Sequence, residues 1–237
     1  MMVRPISRPV AAAALSFLIF GCGRGESNTG GADPAQGPGG ARAEPVRTHV
    51  VTFLGTSLTD GYGLDRESAF PALVKQKIDS AGLPWEVVNA GRSGESSNGA
   101  LERIRWVLRE PVDVLVVETG ANDMLRGSEP DTLRANLDAL IDSVQALRPR
   151  TRIVLVGMLA LPNLGEEYGE RFRVVYPQVA EEHGLTLIPF LLDEVAGVPE
   201  LNQPDGIHPN EEGHRRVAGK VWEAIAPVLR EVQSAAR

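Results

Sequence analysis

The run Val50-Val51-Thr52-Phe53-Leu54-Gly55-Thr56-Ser57-Leu58-Thr59-Asp60-Gly61 decides how the rest of the chain is read. It begins as an apolar, β-branched segment and stops at a glycine followed by small polar residues. A strand buried on both faces of a parallel sheet reads this way where it delivers its last residue into a loop at the sheet's carboxyl edge. Ser57 then lies at the strand mouth, where open α/β sheets hold their ligands. A serine in such a turn is ordinarily a helix cap or turn former, and this segment alone leaves both roles open.

The layout repeats along the chain. Phe70, Leu73, Val74 and Ile78 recur at helical spacing before Gly82-Leu83-Pro84, and Trp85–Asn89 reads as a short strand that ends in Ala90-Gly91-Arg92-Ser93-Gly94. Leu101, Ile104, Val107 and Leu108 form the next helical stripe, and Val112–Glu118 is a third strand running into Thr119-Gly120-Ala121-Asn122-Asp123. Ser128-Glu129-Pro130-Asp131 reads as a helix start with serine as cap and an acid three residues on. Arg152–Met158 is the fourth strand, Tyr168–His183 a helix that Pro177 can interrupt, and Leu185–Pro189 the fifth strand. A last helix starts near Asn210 and runs past Trp222 to about Val232. Strands that are apolar along their whole length, alternating with helices, predict a three-layer αβα sandwich around a five-stranded parallel sheet.

The ends of the chain and its charge narrow the setting. Arg4 and Arg8 precede the small, apolar run Val10–Gly21, a secretory signal pattern too short for a stable membrane span. That run ends at Cys22, the single cysteine of 237 residues, and Ile19-Phe20-Gly21-Cys22 resembles the lipobox of bacterial lipoproteins, whose cysteine is lipidated. A lone thiol in an oxidising compartment has no disulfide partner in its own chain. Residues 23–45 carry seven glycines and three prolines and too little apolar surface to order, which predicts a flexible linker. The expected organisation is a signal peptide over 1–22, the linker over 23–45 and one catalytic domain over 46–237, exported and held at a membrane surface by a lipid on Cys22 and facing the periplasm or cell exterior. The alternative is an ordinary signal peptide with an incidental cysteine and a soluble periplasmic or secreted protein. A net charge of −7 argues against nucleic acid as a partner.

Ser57, Gly94, Asn122 and the pair Asp205/His208 all fall in loops after strands or just before the last helix, so a parallel sheet gathers them at one edge. Acyl transfer needs this combination. A serine hydroxyl attacks only when a base takes its proton, an imidazole suits that task near neutral pH, and a carboxylate holds the imidazole in the right tautomer. Asp205 and His208 are three apart across Gly206, a spacing that lets a tight turn bring the carboxylate to the ring. The tetrahedral intermediate needs donors for its oxyanion, available from the backbone N–H at or after Ser57, the N–H of Gly94 and the amide of Asn122, provided the Asn122 carbonyl is anchored. Asp60 shapes the serine loop. The other histidines fare worse: His49 precedes the first strand at the opposite edge, His183 sits at a helix end beside Gly184, and His214 reads as solvent-facing one turn into the last helix. No cluster has metal-ligand spacing.

These blocks resemble those of the GDSL or SGNH hydrolases: Gly55-Thr56-Ser57-Leu58-Thr59, Ser93-Gly94-Glu95-Ser96, Gly120-Ala121-Asn122-Asp123 and Asp205-Gly206-Ile207-His208. The match is closer to the bacterial periplasmic thioesterase/lysophospholipase and arylesterase branch, through Asn122-Asp123-Met124-Leu125-Arg126-Gly127 and Asp205-Gly206-Ile207-His208-Pro209-Asn210. The resemblance implies a flavodoxin-like fold, Ser57 as nucleophile, His208 as base, Asp205 as its orienting partner, and Ser57, Gly94 and Asn122 as oxyanion donors, with no metal or organic cofactor. Thr56 stands where the family usually has aspartate, a position to which the resemblance assigns no chemical role. It implies aryl or short- to medium-chain esters, acyl thioesters or lysophospholipids as substrates. Carbohydrate O-deacetylation and a tethered protein with a vestigial site are the alternatives. Leu159, Leu161, Pro162, Leu164 and Tyr168, with Leu191, Leu192 and Val198, read equally as an acyl groove or as core.

Overall fold

The apolar runs pair side by side as parallel strands: β1 (His49–Gly55), β2 (Trp85–Gly91), β3 (Val114–Glu118), β4 (Arg152–Val156) and β5 (Thr186–Ile188), in the order β2-β1-β3-β4-β5. This computed structural model describes residues 48–236. The signal pattern, Cys22 and the linker 23–45 lie outside the described residues. In β1 the register sets Val51 beside Val87 of β2 and Val114 of β3. Val114 to Val117 are fully buried, the uninterrupted burial that helices on both faces of a sheet impose.

Among the described residues seven α-helical segments lie between or after the strands: α1 (Ser57–Asp60), α2 (Phe70–Ser80), α3 (Ser97–Val107), α4 (Ala121–Leu125), α5 (Pro130–Leu147), α6 (Glu166–Glu182) and α7 (Glu211–Ala235). α2 packs on α7, whereas α5 packs on both α3 and α6. With right-handed crossovers the two groups cover opposite faces, giving the expected three-layer sandwich. The chain steps outward from β1 to β2 and then crosses back to β3, so strand order reverses between β1 and β3. The crevice outside their carboxyl ends receives the loops that begin at Thr56 and Thr119. Among the described residues no helix is long and apolar enough to cross a membrane.

Several local expectations change. α5 is capped by Glu129, not Ser128, and no side-chain cap bond forms. A residue before proline is held extended, as Glu129 is at φ −63° and ψ 137°, so the helix can begin only at Pro130. α6 passes through Pro177 without a break, because Phe172, Val175, Tyr176 and Val179 bury its inner face on both sides of the proline. Leu191 is fully buried and Leu192 nearly so; both belong to the core and not to a groove.

His214 is also buried, at 1% exposure, and not solvent-facing. Its Nδ1 accepts the Phe70 backbone N–H at 3.1 Å, and its ring lies nearly parallel to that of Phe70. Burial, and then the charge of His208, lower its pKa from 6.5 to about 4. Between those values the unfolded chain binds a proton that the folded chain excludes, so stability falls as pH falls through that interval. Glu118, whose pKa burial raises, acts with the opposite sign, so the comparison is made against a variant. Denaturant unfolding at pH 7 and 4.5 should show wild type losing about 2–3 kcal/mol more than His214→Gln. Equal losses in the two proteins would contradict the assignment.

Candidate active site

The Asp205 loop is built to hold a histidine. Gly206 adopts φ +70°, which lets the chain turn back so that Asp205 Oδ1 accepts the N–H groups of Ile207 and His208 at 2.9 and 3.0 Å. Its other oxygen, Oδ2, lies 2.7 Å from His208 Nδ1. The His208 backbone N–H, then its ring, then the Ile207 N–H hold the Asp205 carboxyl at about 2, below its ordinary 3.8. An ionised carboxylate only accepts, so Nδ1 carries the proton, and in the tautomer with Nε2 bare that nitrogen accepts from Ser57 Oγ at 2.9 Å. The loop is tied down by Gln203 N–H donating to the His208 carbonyl and by Asn210, whose side chain caps α7 through the Gly213 N–H. The Tyr62 ring, which the sequence reading passed over, packs against the His208 ring at 4.6 Å between centroids.

Ser57 opens α1 at the end of β1. The turn before it is held by Glu118, the last residue of β3, buried to 1% exposure. Glu118 Oε2 accepts the Thr56 N–H at 2.8 Å and the Thr59 hydroxyl at 2.9 Å, and Oε1 accepts the Thr56 hydroxyl at 2.9 Å. Thr56 therefore has a definite partner, in contrast to the role-free position that the resemblance implied. Burial pushes the Glu118 carboxyl above the ordinary glutamate range, against the Thr56 and Thr59 donors that pull it down. An acid closing the apolar run Val114–Glu118 was the available signal, unread because strand ends are commonly polar.

Gly94 and Asn122 are linked through one residue. Asn122 Nδ2 donates to the Glu95 carbonyl at 3.0 Å, so the amide is anchored by its nitrogen and not, as anticipated, by its oxygen. The second N–H of that group remains for a ligand. Gly94 has φ +79° with open space where a Cβ would stand, so conformation and not crowding selects glycine there. The buried Glu95 side chain pairs with Arg103 Nε at 2.8 Å, and Arg103 Nη2 also reaches the Ala90 carbonyl at the end of β2. One ion pair thereby fixes the glycine loop, the strand before it and the anchor of Asn122. Buried Asp123 accepts the Ser97 N–H and hydroxyl, which pins α4 to α3. Asp60 Oδ2 accepts the Ser93 hydroxyl at 2.6 Å and joins the serine loop to the glycine loop.

Ser57, His208 and Asp205 are thus connected by direct hydrogen bonds, while Asp60, Gly94 and Asn122 are joined to them through neighbouring loops at the same sheet edge. His49 begins β1 at the other edge, buried and stacked on Trp85. His183 lies 3.1 Å from Asp138 at the end of α6. Neither takes part. Of the residues read as groove or core, Leu159 and Leu161 are exposed in the loop after β4, whereas Leu164 and Tyr168 pack against the core.

A hydroxyl, an imidazole and a carboxylate in line at the switch point of a parallel sheet are the arrangement of a serine-type hydrolase that works by acyl transfer. Residues 53–216 match the GDSL-like Lipase/Acylhydrolase family, and the chain belongs to that family. It is 37% identical over 187 residues to "Esterase TesA" of Pseudomonas aeruginosa, covering 78% of this chain and 92% of that protein. It is 35% identical over 182 residues to "Thioesterase 1/protease 1/lysophospholipase L1" of Escherichia coli strain K12, covering 76% of this chain and 85% of the relative. The crystal structure of TesA superposes with a TM-score of 0.72 at 35% identity, covering 76% of this chain and 99% of that one. The chain is an esterase of the serine-hydrolase type.

Proposed function

We propose that Ser57 is the nucleophile of this esterase, His208 its general base and then acid, and Asp205 the carboxylate that orients the imidazole. The Ser57 and Gly94 N–H groups and the Asn122 amide receive the oxyanion. One observation carries this reading: the unbroken line from Asp205 Oδ2 to His208 Nδ1 at 2.7 Å and from His208 Nε2 to Ser57 Oγ at 2.9 Å. Ser57 Oγ bonds to the carbonyl carbon as Nε2 takes its proton, and the imidazolium that forms faces the Asp205 carboxylate. When the intermediate collapses, the bond to the leaving group breaks and that group takes the proton from Nε2. Water then attacks the acyl-serine with the same base, releasing the acid and restoring the hydroxyl.

Aryl and short- to medium-chain acyl esters are the substrates this reading assigns, with acyl thioesters and lysophospholipids as further candidates from the names of the relatives. Tyr62, Leu159, Leu161 and Ile207, on loops that follow the strand ends or flank His208, and Leu125, at the end of α4, are exposed and offer apolar contact to an acyl or aryl group. Tyr62 is the one aromatic ring among them, which favours acyl esters over acetylated sugars. The test is a chain-length series of p-nitrophenyl esters, with a matching acyl thioester and a lysophospholipid, combined with fluorophosphonate labelling. Ester turnover with the label on the Ser57 peptide is expected; turnover with the label elsewhere would overturn the assignment.

Export through residues 1–22, attachment through a lipid on Cys22 and a linker over 23–45 complete the proposal for the hydrolase domain 46–237. A Cys22→Ala variant should move from the membrane fraction to the soluble one on cell fractionation, and retention on the membrane would refute the anchor.

A further inference from the structure

Glu118 is a buried acid with no assigned step in ester hydrolysis, and its donors bracket the serine: Thr56 immediately before Ser57 and Thr59 two residues after it. Among the described residues no cation pairs with it. α1 has four residues, too few to stand as a helix unaided, so its geometry is imposed from outside. Thr56 occupies its N-cap position, and a threonine there ordinarily turns its hydroxyl to accept an N–H of the first helical turn. Here no such cap bond forms, and the Thr56 hydroxyl is turned to donate to Glu118. The helix start is left without a side-chain acceptor over it. The fit is close: a Cβ on Gly55 would stand 2.0 Å from the Thr59 hydroxyl and 2.7 Å from Glu118 Oε2. Glycine at 55 is what lets the acid reach the turn.

We infer that Glu118 is a positioning residue for ester hydrolysis: by holding the Thr56 N–H and hydroxyl and the Thr59 hydroxyl on either side of Ser57, it fixes the turn that aims the Ser57 hydroxyl and N–H at the reacting carbonyl. This rests on the reading of Ser57 as nucleophile. Glu118 touches no substrate atom; it acts through the turn. A carboxylate suits the place because every group facing it is a donor, whereas a glutamine would set its own N–H groups against one of them.

The experiment uses the full chain and p-nitrophenyl butyrate. Glu118→Gln should lower kcat by about 100-fold with KM within a factor of two, the size of loss that follows when an oxyanion donor is misplaced. The rate of fluorophosphonate labelling at Ser57 should fall by a similar factor. Thr56→Val should show the same kcat-only defect, and Thr56→Ser, which restores the hydroxyl, should recover it; these two decide the matter if Glu118→Gln does not fold. A kcat within threefold of wild type in folded Glu118→Gln, or no difference between Thr56→Val and Thr56→Ser, would overturn the inference while leaving Ser57 in place. Turnover surviving in Ser57→Ala would instead remove the reading beneath it.

Discussion

Ser57→Ala should lower kcat for p-nitrophenyl esters by at least about 10⁴-fold and leave the melting temperature within a few degrees of wild type. In the proposed mechanism the hydroxyl oxygen is the atom that bonds to the acyl carbon, and among the described residues His208 Nε2 hydrogen-bonds to no other side chain that could replace it. Any rate enhancement that survives would come from the proposed oxyanion donors and from binding. In the fold the hydroxyl's bond is to His208, at a half-buried position, so its loss opens no apolar cavity. Steady-state kinetics beside a thermal melt make the check. A variant retaining a tenth of wild-type turnover would end the nucleophile assignment.

Asp205→Asn should cost about 10⁴-fold in kcat with the loop preserved. Asparagine can still accept the Ile207 and His208 N–H groups through its oxygen, so the turn around Gly206 is kept. Its NH₂ group would face His208 Nδ1, however, and favour the tautomer whose proton sits on Nε2, where the serine hydroxyl needs an acceptor. The wild-type carboxyl, held at about 2, is ionised from mildly acidic pH upward, so Asp205 is not expected to give an acid limb to the rate profile there. Because the folded pKa lies below the ordinary 3.8, whatever stability this carboxylate contributes is present above that value and is lost only as pH falls through about 2. The Asp205 side chain is more than a third exposed, so that contribution is small. A kcat loss below tenfold in Asp205→Asn would contradict the orienting role.

Ser57, Gly94, Asn122, Asp205 and His208 were legible because each stands in a short run of turn residues after an apolar segment or before the last helix, and a parallel sheet needs only that placement to gather them. Glu118 was not, because its burial comes from β1 lying beside β3, which brings Thr56 and Thr59 over an acid distant in sequence. Arg103 was hidden for a related reason: it sits between Leu101 and Ile104 and reads as the wet side of α3, yet it reaches back to Glu95 and the end of β2. His214 could have been found. With Val217, Ala218 and Val221 it falls on one stripe of α7, and that spacing argues for burial. The Ser128 misreading gave weight to a capping pattern and too little to the restriction that Pro130 places on its neighbour.

Parallel strands give the domain a direction. β1 starts at residue 49 and needs about 20 Å to bring the chain to the serine turn. α7 starts beside His208 and runs about 37 Å back, and near its end Glu231 pairs with Arg152 at the beginning of β4. Both termini of the domain therefore leave from the side remote from the reacting atoms. Coupling to a bead or a fusion partner through either terminus leaves the mouth unobstructed, a ready orientation for a solid-supported biocatalyst.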